Sequence, residues 1–392
     1  MKPIADIARK QARYTAWRRD LHAHPEPAYE EHRTADFVAE KLTEFGISFE
    51  TGIGRTGVVA TIRNGASGRT IGLRADMDAL HLQELNEFDH RSTNDGVMHA
   101  CGHDGHTTML LAAAEYLVDS ARFDGTVHLV FQPAEEGEAG AKAMMDDGLF
   151  ERFPMDAVYG MHNWPGYPVG KMATRSGPIM AAMDVFEVTV IGRGGHGALP
   201  HLTVDPILVA AQLVTQWQGI VSRNVNPIDA AVVSVTQFHA GDAWAVIPNE
   251  VVLRGTVRSF KPETRAMLQE RMKQLSAGIC SGNDCDYEWW YEHRFPPTVN
   301  SEQETRAAAA AATALVGDVN FDHEVEPSTG SEDFGYLLEE KPGCYILIGN
   351  GSSDNDRLLH NPHYDFNDEI IPIGASYWVG LVEQELAAGR GL

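Results

Sequence analysis

The sequence predicts an α/β protein: a mostly parallel sheet covered by helices, with a ferredoxin-like α+β domain inserted into it. Three observations support this prediction. Short apolar segments alternate with helical patterns over the first 180 residues, the pattern becomes period-two near Ala182, and the first pattern returns after Pro296 and Pro297. With 392 residues, the chain exceeds what one hydrophobic core usually organises, so two domains are expected.

The first part of the chain supplies the parallel-sheet pattern. Four short apolar segments read as strands buried on both faces, and two longer segments have helical periodicity. The predicted strands are Val58–Ile62, Thr70–Ala75, Val127–Phe131 and Ala157–Met161, and the predicted helices are Glu30–Phe45 and Thr107–Ser120.

The middle of the chain has the element order β-α-β-β-α-β of a ferredoxin-like unit. Asp205 is a good N-cap for the first of its helices because Pro206 follows at the first helical position. The predicted elements are strands Asp184–Ile191, Ala230–Phe238, Glu250–Phe260 and Asp286–Arg294, and helices Asp205–Ser222 and Pro262–Ala277. We therefore predict an inserted domain at 183–295.

The last part resumes the first pattern, with a helix at Glu302–Val316, a strand at Cys344–Ile348 and a terminal helix from Ile373. The larger domain is therefore predicted to be discontinuous, comprising residues 1–182 and 296–392.

Composition excludes several classes of partner and location. A net charge of −24, from 31 basic and 55 acidic residues, disfavours binding to nucleic acid or an anionic membrane surface. The segment from Met1 to Leu21 has no apolar run of signal-peptide length, and no stretch of the chain approaches the length of a membrane span. Four scattered cysteines do not form a disulfide framework, so we expect a cytoplasmic protein.

The segment from His99 to His106 concentrates three histidines, one thiol and one carboxylate in eight positions. Thiolate and imidazole suit zinc, and also cobalt or manganese. Taken alone, this segment is explained about equally well as a polar, histidine-rich loop.

Other metal-competent side chains follow predicted strands. Glu135 and Glu136 come after the third strand, His162 after the fourth, and Asp76 and Asp78 after the second. Carboxyl ends of parallel strands meet at one edge of a sheet, where active sites of open α/β proteins lie. On an extended segment, adjacent glutamates point in opposite directions, so one could bind metal while the other acts as a general base. A solvated acidic turn or a core histidine would be the ordinary explanation of any one of these features.

The ordered set of motifs resembles the aminoacylase/carboxypeptidase family of co-catalytic metallopeptidases. The resemblance is to its amidohydrolase branch of hippurate hydrolases, indole-acetyl-amino-acid hydrolases and N-acyl-amino-acid deacylases. The matching segments span most of the chain: Leu21 to Glu26, Arg74 to Leu80, His99 to His106, Gln132 to Gly137, Met161 to Asn163, Gly192 to His201, Ser331 to Phe334, and His360 to Pro362.

This resemblance implies a site with one or two divalent ions, zinc, manganese, cobalt or nickel. Glu135 would be the general base and later the acid, and Asp78 would orient the site. Asp76 stands where the carboxypeptidase branch has a ligand histidine, so it is not assigned as a ligand. The implied metal ligands are Cys101, His103, Glu136, His162 and His360.

The inserted domain would contribute to substrate binding. The resemblance implies that His196 stabilises the oxyanion and that Arg258 and Ser331 bind substrate. Ala245 replaces an asparagine common among relatives, which affects the expected substrate rather than the reaction. A homodimer or higher homo-oligomer, contacting through the inserted domain, is expected from the resemblance.

The predicted function is hydrolysis of the amide bond of small N-acyl amino acids. The products would be a carboxylic acid and a free amino acid. Two alternatives stay open: a dipeptidase or carboxypeptidase on the same scaffold, and a non-catalytic metal-dependent binding protein. The pair Cys101 and His103 favours the amidohydrolase branch, and Glu135 argues against an inactive protein.

Overall fold

The structure is a computed structural model that describes residues 2–120, 122–351 and 357–387. Contacts divide the chain into two compact units. The first comprises the described residues up to Ile179, then Val299–Glu326, then those from Asp333 onward; the second comprises Met180–Thr298 and Pro327–Glu332. The lid and dimerisation roles assigned to residues 183–295 stay predictions.

The chain up to Met180 contributes most of the first unit. Its helices are α1 (Ala5–Arg9), α2 (Gln11–Ala23), α3 (His32–Glu44), α4 (His103–Ser120), α5 (Glu135–Glu138), α6 (Gly140–Asp146) and α7 (Leu149–Arg152). Its strands are β1 (Ser48–Ile53), β2 (Gly57–Asn64), β3 (Thr70–Asp76), β4 (Gly125–Gln132), β5 (Ala157–Trp164), β6 (Met172–Ala173) and β7 (Gly177–Met180).

The following residues form the second unit. Its strands are β8 (Ala182–Ile191), β9 (Gly195–His196), β10 (Ala231–His239), β11 (Val246–Ile247), β12 (Glu250–Ser259) and β13 (Asp286–Phe295). Its helices are α8 (Pro206–Arg223) and α9 (Pro262–Gly282).

After these elements the chain returns to the first unit. The strands are β14 (Thr298–Asn300), β15 (Phe321–Asp322) and β16 (Gly343–Gly349), and the helices are α10 (Glu302–Val316), α11 (Phe334–Glu340) and α12 (Ile371–Glu385). No helix among the described residues is long and apolar enough to cross a membrane.

The large sheet of the first unit has the strand order β1-β2-β4-β3-β5-β16-β6-β15. Its centre is parallel, because β4, β3, β5 and β16 run in the same direction, and almost every residue of these strands is buried. Strands β1 and β2 run antiparallel at one edge. The predicted mostly parallel sheet is therefore confirmed, with an antiparallel edge that the apolar pattern alone did not reveal.

The second unit has a four-stranded antiparallel sheet of order β10-β12-β8-β13, which is the ferredoxin-like order. Along β8, Phe186, Val188 and Val190 are buried and pack with Trp217 of α8 in the core of the unit. The carboxylate of Asp205 accepts a hydrogen bond from the Ile207 amide at 2.9 Å, so the predicted N-cap is confirmed.

Candidate metal centre

The parallel strands bring the predicted site residues to one edge of the large sheet. Strand β3 ends at Asp76, two residues before Asp78, and β4 ends at Gln132, three residues before Glu135. Strand β5 runs through His162 in parallel with β16. Helix α4 begins at His103, four residues earlier than predicted, so this side chain lies in the first helical turn.

The five predicted ligands and Glu135 lie close together. The thiol of Cys101 is 3.3 Å from Nε2 of His162, and Nε2 of His360 is 3.3 Å from Oε1 of Glu136. The donor atoms lie within 4.8 Å of one another in three overlapping groups: Cys101 with His103 and His162; Cys101 with Glu136 and His360; and His103 with Glu135 and Glu136.

One buried polar atom tests whether these residues fit a metal. Nε2 of His103 is buried and has no hydrogen-bond partner among the described residues. It lies 4.0 Å from Oε1 of Glu136. A buried polar atom without a partner is costly, and a divalent cation would satisfy it. Thiolate, imidazole and carboxylate donors together suit zinc or a similar metal, so the residues fit.

Hydrogen bonds orient the two central imidazoles for this task. Nδ1 of His103 lies 3.2 Å from Oδ1 of Asp78, and Nδ1 of His162 lies 2.6 Å from the carbonyl of Asn163. A carboxylate and a carbonyl only accept, so each Nδ1 carries the proton. In the neutral rings, the Nε2 atoms are therefore left as electron-pair donors toward the cluster.

The pKa values of two predicted ligands, Cys101 and His103, are both raised, for different physical reasons. Burial, with the charges of Glu136 and Glu135, raises the pKa of the Cys101 thiol. Burial would lower the pKa of His103, but Asp76 and the hydrogen-bonded Asp78 outweigh it and raise that pKa to about 10. Metal binding requires a thiolate and a neutral imidazole, so it must displace protons here, and a bound cation reverses the local field.

Asp76 and His106 form a buried hydrogen-bond network next to the predicted metal ligands. The carboxylate of Asp76 accepts from Nη1 of Arg74 and from Nδ1 of His106, both at 2.6 Å. The other ring nitrogen of His106 accepts from the Asn163 amide at 2.9 Å. Because both of its ring nitrogens are occupied, His106 has no free electron pair for a metal, although it lies within reach of one.

The loop that carries Glu135 and Glu136 differs from the extended segment that the sequence suggested. It bends into the short segment α5, in which Glu136 and Gly137 have non-helical backbone angles, preceded by Ala134 with φ 53° and ψ 42°. This left-handed conformation costs roughly 1–2 kcal/mol for a residue other than glycine. The Glu136 amide donates to Oδ2 of Asp78 at 2.9 Å, so Asp78 contacts two predicted ligands.

Asn163 and Tyr364 tie the ligand loops together. The side-chain amide of Asn163 donates to the Cys101 carbonyl at 2.6 Å, and the Tyr364 hydroxyl donates to Oδ1 of Asn163 at 2.7 Å. A Cβ atom on Gly102, which has φ 92°, would lie 2.4 Å from both side chains. Asn163 had no predicted role beyond its place in a motif, and no sequence pattern around Tyr364 indicated a role for that residue.

His22 reaches the same region from helix α2. Its Nδ1 lies 2.8 Å from Oδ2 of Asp104, and its Nε2 lies 3.3 Å from Oε1 of Glu84. Burial would lower the pKa of His22, but the hydrogen bonds to these two carboxylates raise it to about 9. Asp104 follows His103 in α4, so this pair fixes the helical turn that carries a predicted ligand.

The second unit holds the remaining predicted site residues. His196, on β9, is exposed, and its Nδ1 accepts from the Ala198 amide at 3.1 Å, which leaves Nε2 as the donor of the neutral ring. Nη1 of Arg258 is buried without a hydrogen-bond partner among the described residues, and burial lowers the pKa of this side chain. The Ser331 hydroxyl donates to a weak acceptor, the sulfur of Met183, at 3.4 Å.

Comparison with known proteins places this geometry in a family. Residues 72–384 match the model of peptidase family M20/M25/M40. A hippurate hydrolase from Campylobacter jejuni is 43% identical over 381 residues, covering 97% of this chain and 98% of that protein. An IAA-amino acid hydrolase ILR1-like 4 from Arabidopsis thaliana is 38% identical, covering 94% and 84% of the two chains.

A solved structure supports the same family assignment. The YXEP protein of Bacillus subtilis, described as a dinuclear metal-binding peptidase from the M20 family, is 33% identical. It superposes with a TM-score of 0.84 over 97% of this chain and 99% of that one. The chain therefore belongs to peptidase family M20/M25/M40.

Proposed function

We propose that this chain is a metal-dependent amidohydrolase that cleaves N-acyl amino acids into a carboxylic acid and a free amino acid. The observation that carries the proposal is the cluster of thiol, imidazole and carboxylate donors, of which Cys101, His103 and His162 are buried, with the buried Glu135 beside it. The relatives named as hippurate hydrolase and IAA-amino acid hydrolase support this substrate class.

One or two divalent ions would be held by the predicted ligands: Cys101, His103, Glu136, His162 and His360. When bound, the metal supplies Lewis-acid polarisation of the amide carbonyl and activation of water near neutral pH. Asp78 orients His103 through the imidazole Nδ1 and holds Glu136 through its backbone amide, so a single carboxylate fixes two ligands.

Glu135 moves the proton in this mechanism. Its carboxylate takes a proton from the attacking water and returns it to the departing nitrogen as the amide bond breaks. The side chain is buried, which limits competition from bulk solvent. Its ligand atom lies within 4.8 Å of those of His103 and Glu136.

The second unit supplies substrate contacts. We assign to Nε2 of His196 a hydrogen bond to the oxyanion, given from the same chain or from a partner subunit. We assign to Arg258 an ion pair with the carboxylate of the amino-acid half, because its Nη1 lacks a partner among the described residues. Ser331 is proposed as a further substrate contact.

Three finer properties belong to the same proposal. Zinc or manganese is the expected metal, because the donor set combines one thiolate with imidazoles and carboxylates. A homodimer is proposed because the second unit exposes large apolar side chains, among them Leu202, Leu208 and Trp244. Cytoplasmic location is proposed because all four cysteines are free thiols.

The test is release of free amino acid from N-acetyl, N-benzoyl and indole-acetyl amino acids, with dipeptides included for comparison. Chelator should abolish turnover and added Zn²⁺ or Mn²⁺ should restore it. Glu135→Gln should lower kcat by about 10²–10⁴-fold with unchanged metal content. Faster cleavage of dipeptides than of any acyl amino acid would indicate a peptidase instead. No turnover by metal-loaded protein would favour a binding protein.

A further inference from the structure

Three carboxylates hold the backbone of the loop that carries Glu135 and Glu136. Besides Asp78 on the Glu136 amide, Oδ2 of Asp333 accepts from the Ala141 amide at 2.8 Å. Oε1 of Glu31 accepts from the Ala134 amide at 2.8 Å. The three bonds are spread along the loop, so its path is fixed before, within and after the short segment α5.

Glu31 is the least expected of the three. It is fully buried, whereas its neighbour Glu30 is exposed. Both of its carboxylate oxygens are engaged: Oε1 by the Ala134 amide and Oε2 by the Thr56 hydroxyl at 2.5 Å. A buried carboxylate is costly unless hydrogen-bonded, so its position depends on these two donors.

The bond to Ala134 falls where the chain changes direction. Ala134 is the left-handed residue immediately before Glu135, and its carbonyl accepts from the Gly140 amide at 3.0 Å. A residue other than glycine keeps this conformation only where its surroundings enforce it. If the turn at Ala134 relaxes, the side chain of Glu135 changes direction while the strand before it stays in place.

A second glutamate in the same segment has a different task. The carboxylate of Glu26 accepts from the Arg33 and Thr34 amides at 2.9 and 2.8 Å, so it satisfies the first turn of α3. Glu31 precedes that helix but gives it no side-chain cap. Its carboxylate serves the loop of Glu135 instead.

We infer that Glu31 is a positioning residue for Glu135, which it aims by holding the left-handed turn at Ala134. This inference rests on the proposed function, because it takes Glu135 as the general base. Oε1 accepts from the Ala134 amide whether the carboxyl is ionised or protonated, so the role does not depend on the titration of Glu31.

The experiment combines hydrogen exchange with kinetics on the full-length, metal-loaded protein. Glu31→Ala removes the acceptor, so exchange in peptides covering 132–141 should rise about tenfold at the Ala134 amide. The value of kcat should fall by about 10–10²-fold, with KM and metal content close to wild type, because the base is misdirected rather than lost.

Two further variants separate positioning from simple destabilisation. Glu31→Gln keeps Oε1 as an acceptor, and its amide can donate to the Thr56 hydroxyl, so loop exchange and kcat should return close to wild type. Glu385→Gln is the matched control, since Glu385 is a buried carboxylate that accepts from Tyr159. It should lower thermal stability without raising exchange in the loop.

The outcomes separate this inference from the proposed function. Unchanged exchange at Ala134 in Glu31→Ala would overturn the inference, and so would raised exchange with unchanged kcat. A loss of kcat in Glu31→Gln as large as in Glu31→Ala would also overturn it. If Glu135→Gln retains full turnover, the proposed role of Glu135 as general base is wrong. The exchange measurement would still show whether Glu31 protects the Ala134 amide.

Discussion

His103, a predicted metal ligand, and His196, the predicted oxyanion donor, are held in different ways by the two units. His103 is fully buried, and the Asp78 carboxylate fixes its ring. His196 is exposed and is oriented through the amide of Ala198, two residues away. The first unit preorganises its donors through buried polar contacts, whereas the second presents its donors on the surface. Substitution of a predicted ligand in the first unit should therefore change metal content, whereas substitution of a predicted donor in the second should change kinetics alone.

The largest effect should separate two histidines of helix α4. His103→Asn should remove a ligand, lower metal content and reduce kcat/KM by about 10³-fold or more. His106→Asn is the matched control, since this buried ring spends both nitrogens on Asp76 and Asn163. Metal analysis of dialysed protein decides the comparison. Equal metal loss in both variants would show that His106 is itself a ligand.

The next effect concerns the exposed histidine. His196→Ala should lower kcat by about 10²–10³-fold, the cost of removing one oxyanion donor, with metal content and thermal stability as in wild type. His201→Ala, an exposed histidine in the same unit, should behave as wild type. A rise in KM at constant kcat would assign His196 to ground-state binding and remove its proposed role.

The smallest effect should separate two arginines of strand β12. Arg258→Lys should raise KM by about 10–10²-fold with little change in kcat, because an amine lacks the planar fork that pairs with a carboxylate. Arg254→Lys is the control, since this exposed arginine already pairs with Glu187. Steady-state kinetics with one acyl amino acid measures both. Similar KM values for the two variants would show that Arg258 does not bind the substrate carboxylate.

Most of the fold could be predicted from the sequence because the central strands of the large sheet are unusually apolar. Strands β3, β4 and β5 are buried on both faces, so their patterns stood out and their ends marked the edge where ligands gather. The antiparallel direction of β2 was not predictable, since a buried apolar run has no intrinsic direction. Residues Glu302–Val316, predicted as a helix, form α10 with the same bounds.

The supporting residues of the site were harder to predict than its donors. The donors could be predicted from their chemistry, but Glu31 fell inside the predicted helix Glu30–Phe45, whereas the observed helix begins only at His32. In the sequence, Asn163 and Tyr364 are ordinary polar residues, and only the structure shows the hydrogen bonds that run from Tyr364 through Asn163 to the Cys101 carbonyl. Their roles arise from long-range contacts, and a single sequence carries no signal for those.

Gly102 gives the Cys101–His103 segment a property that matters for protein engineering. Its left-handed backbone and its closeness to Asn163 and Tyr364 exclude any side chain there. A saturation library should tolerate replacement at Cys101 by other donors far better than any replacement at position 102. Attempts to change the preferred metal can therefore replace the donor side chain at position 101 while the backbone stays as it is. A change in the spacing between positions 101 and 103 would instead require redesign of the loops that carry Gly102, Asn163 and Tyr364.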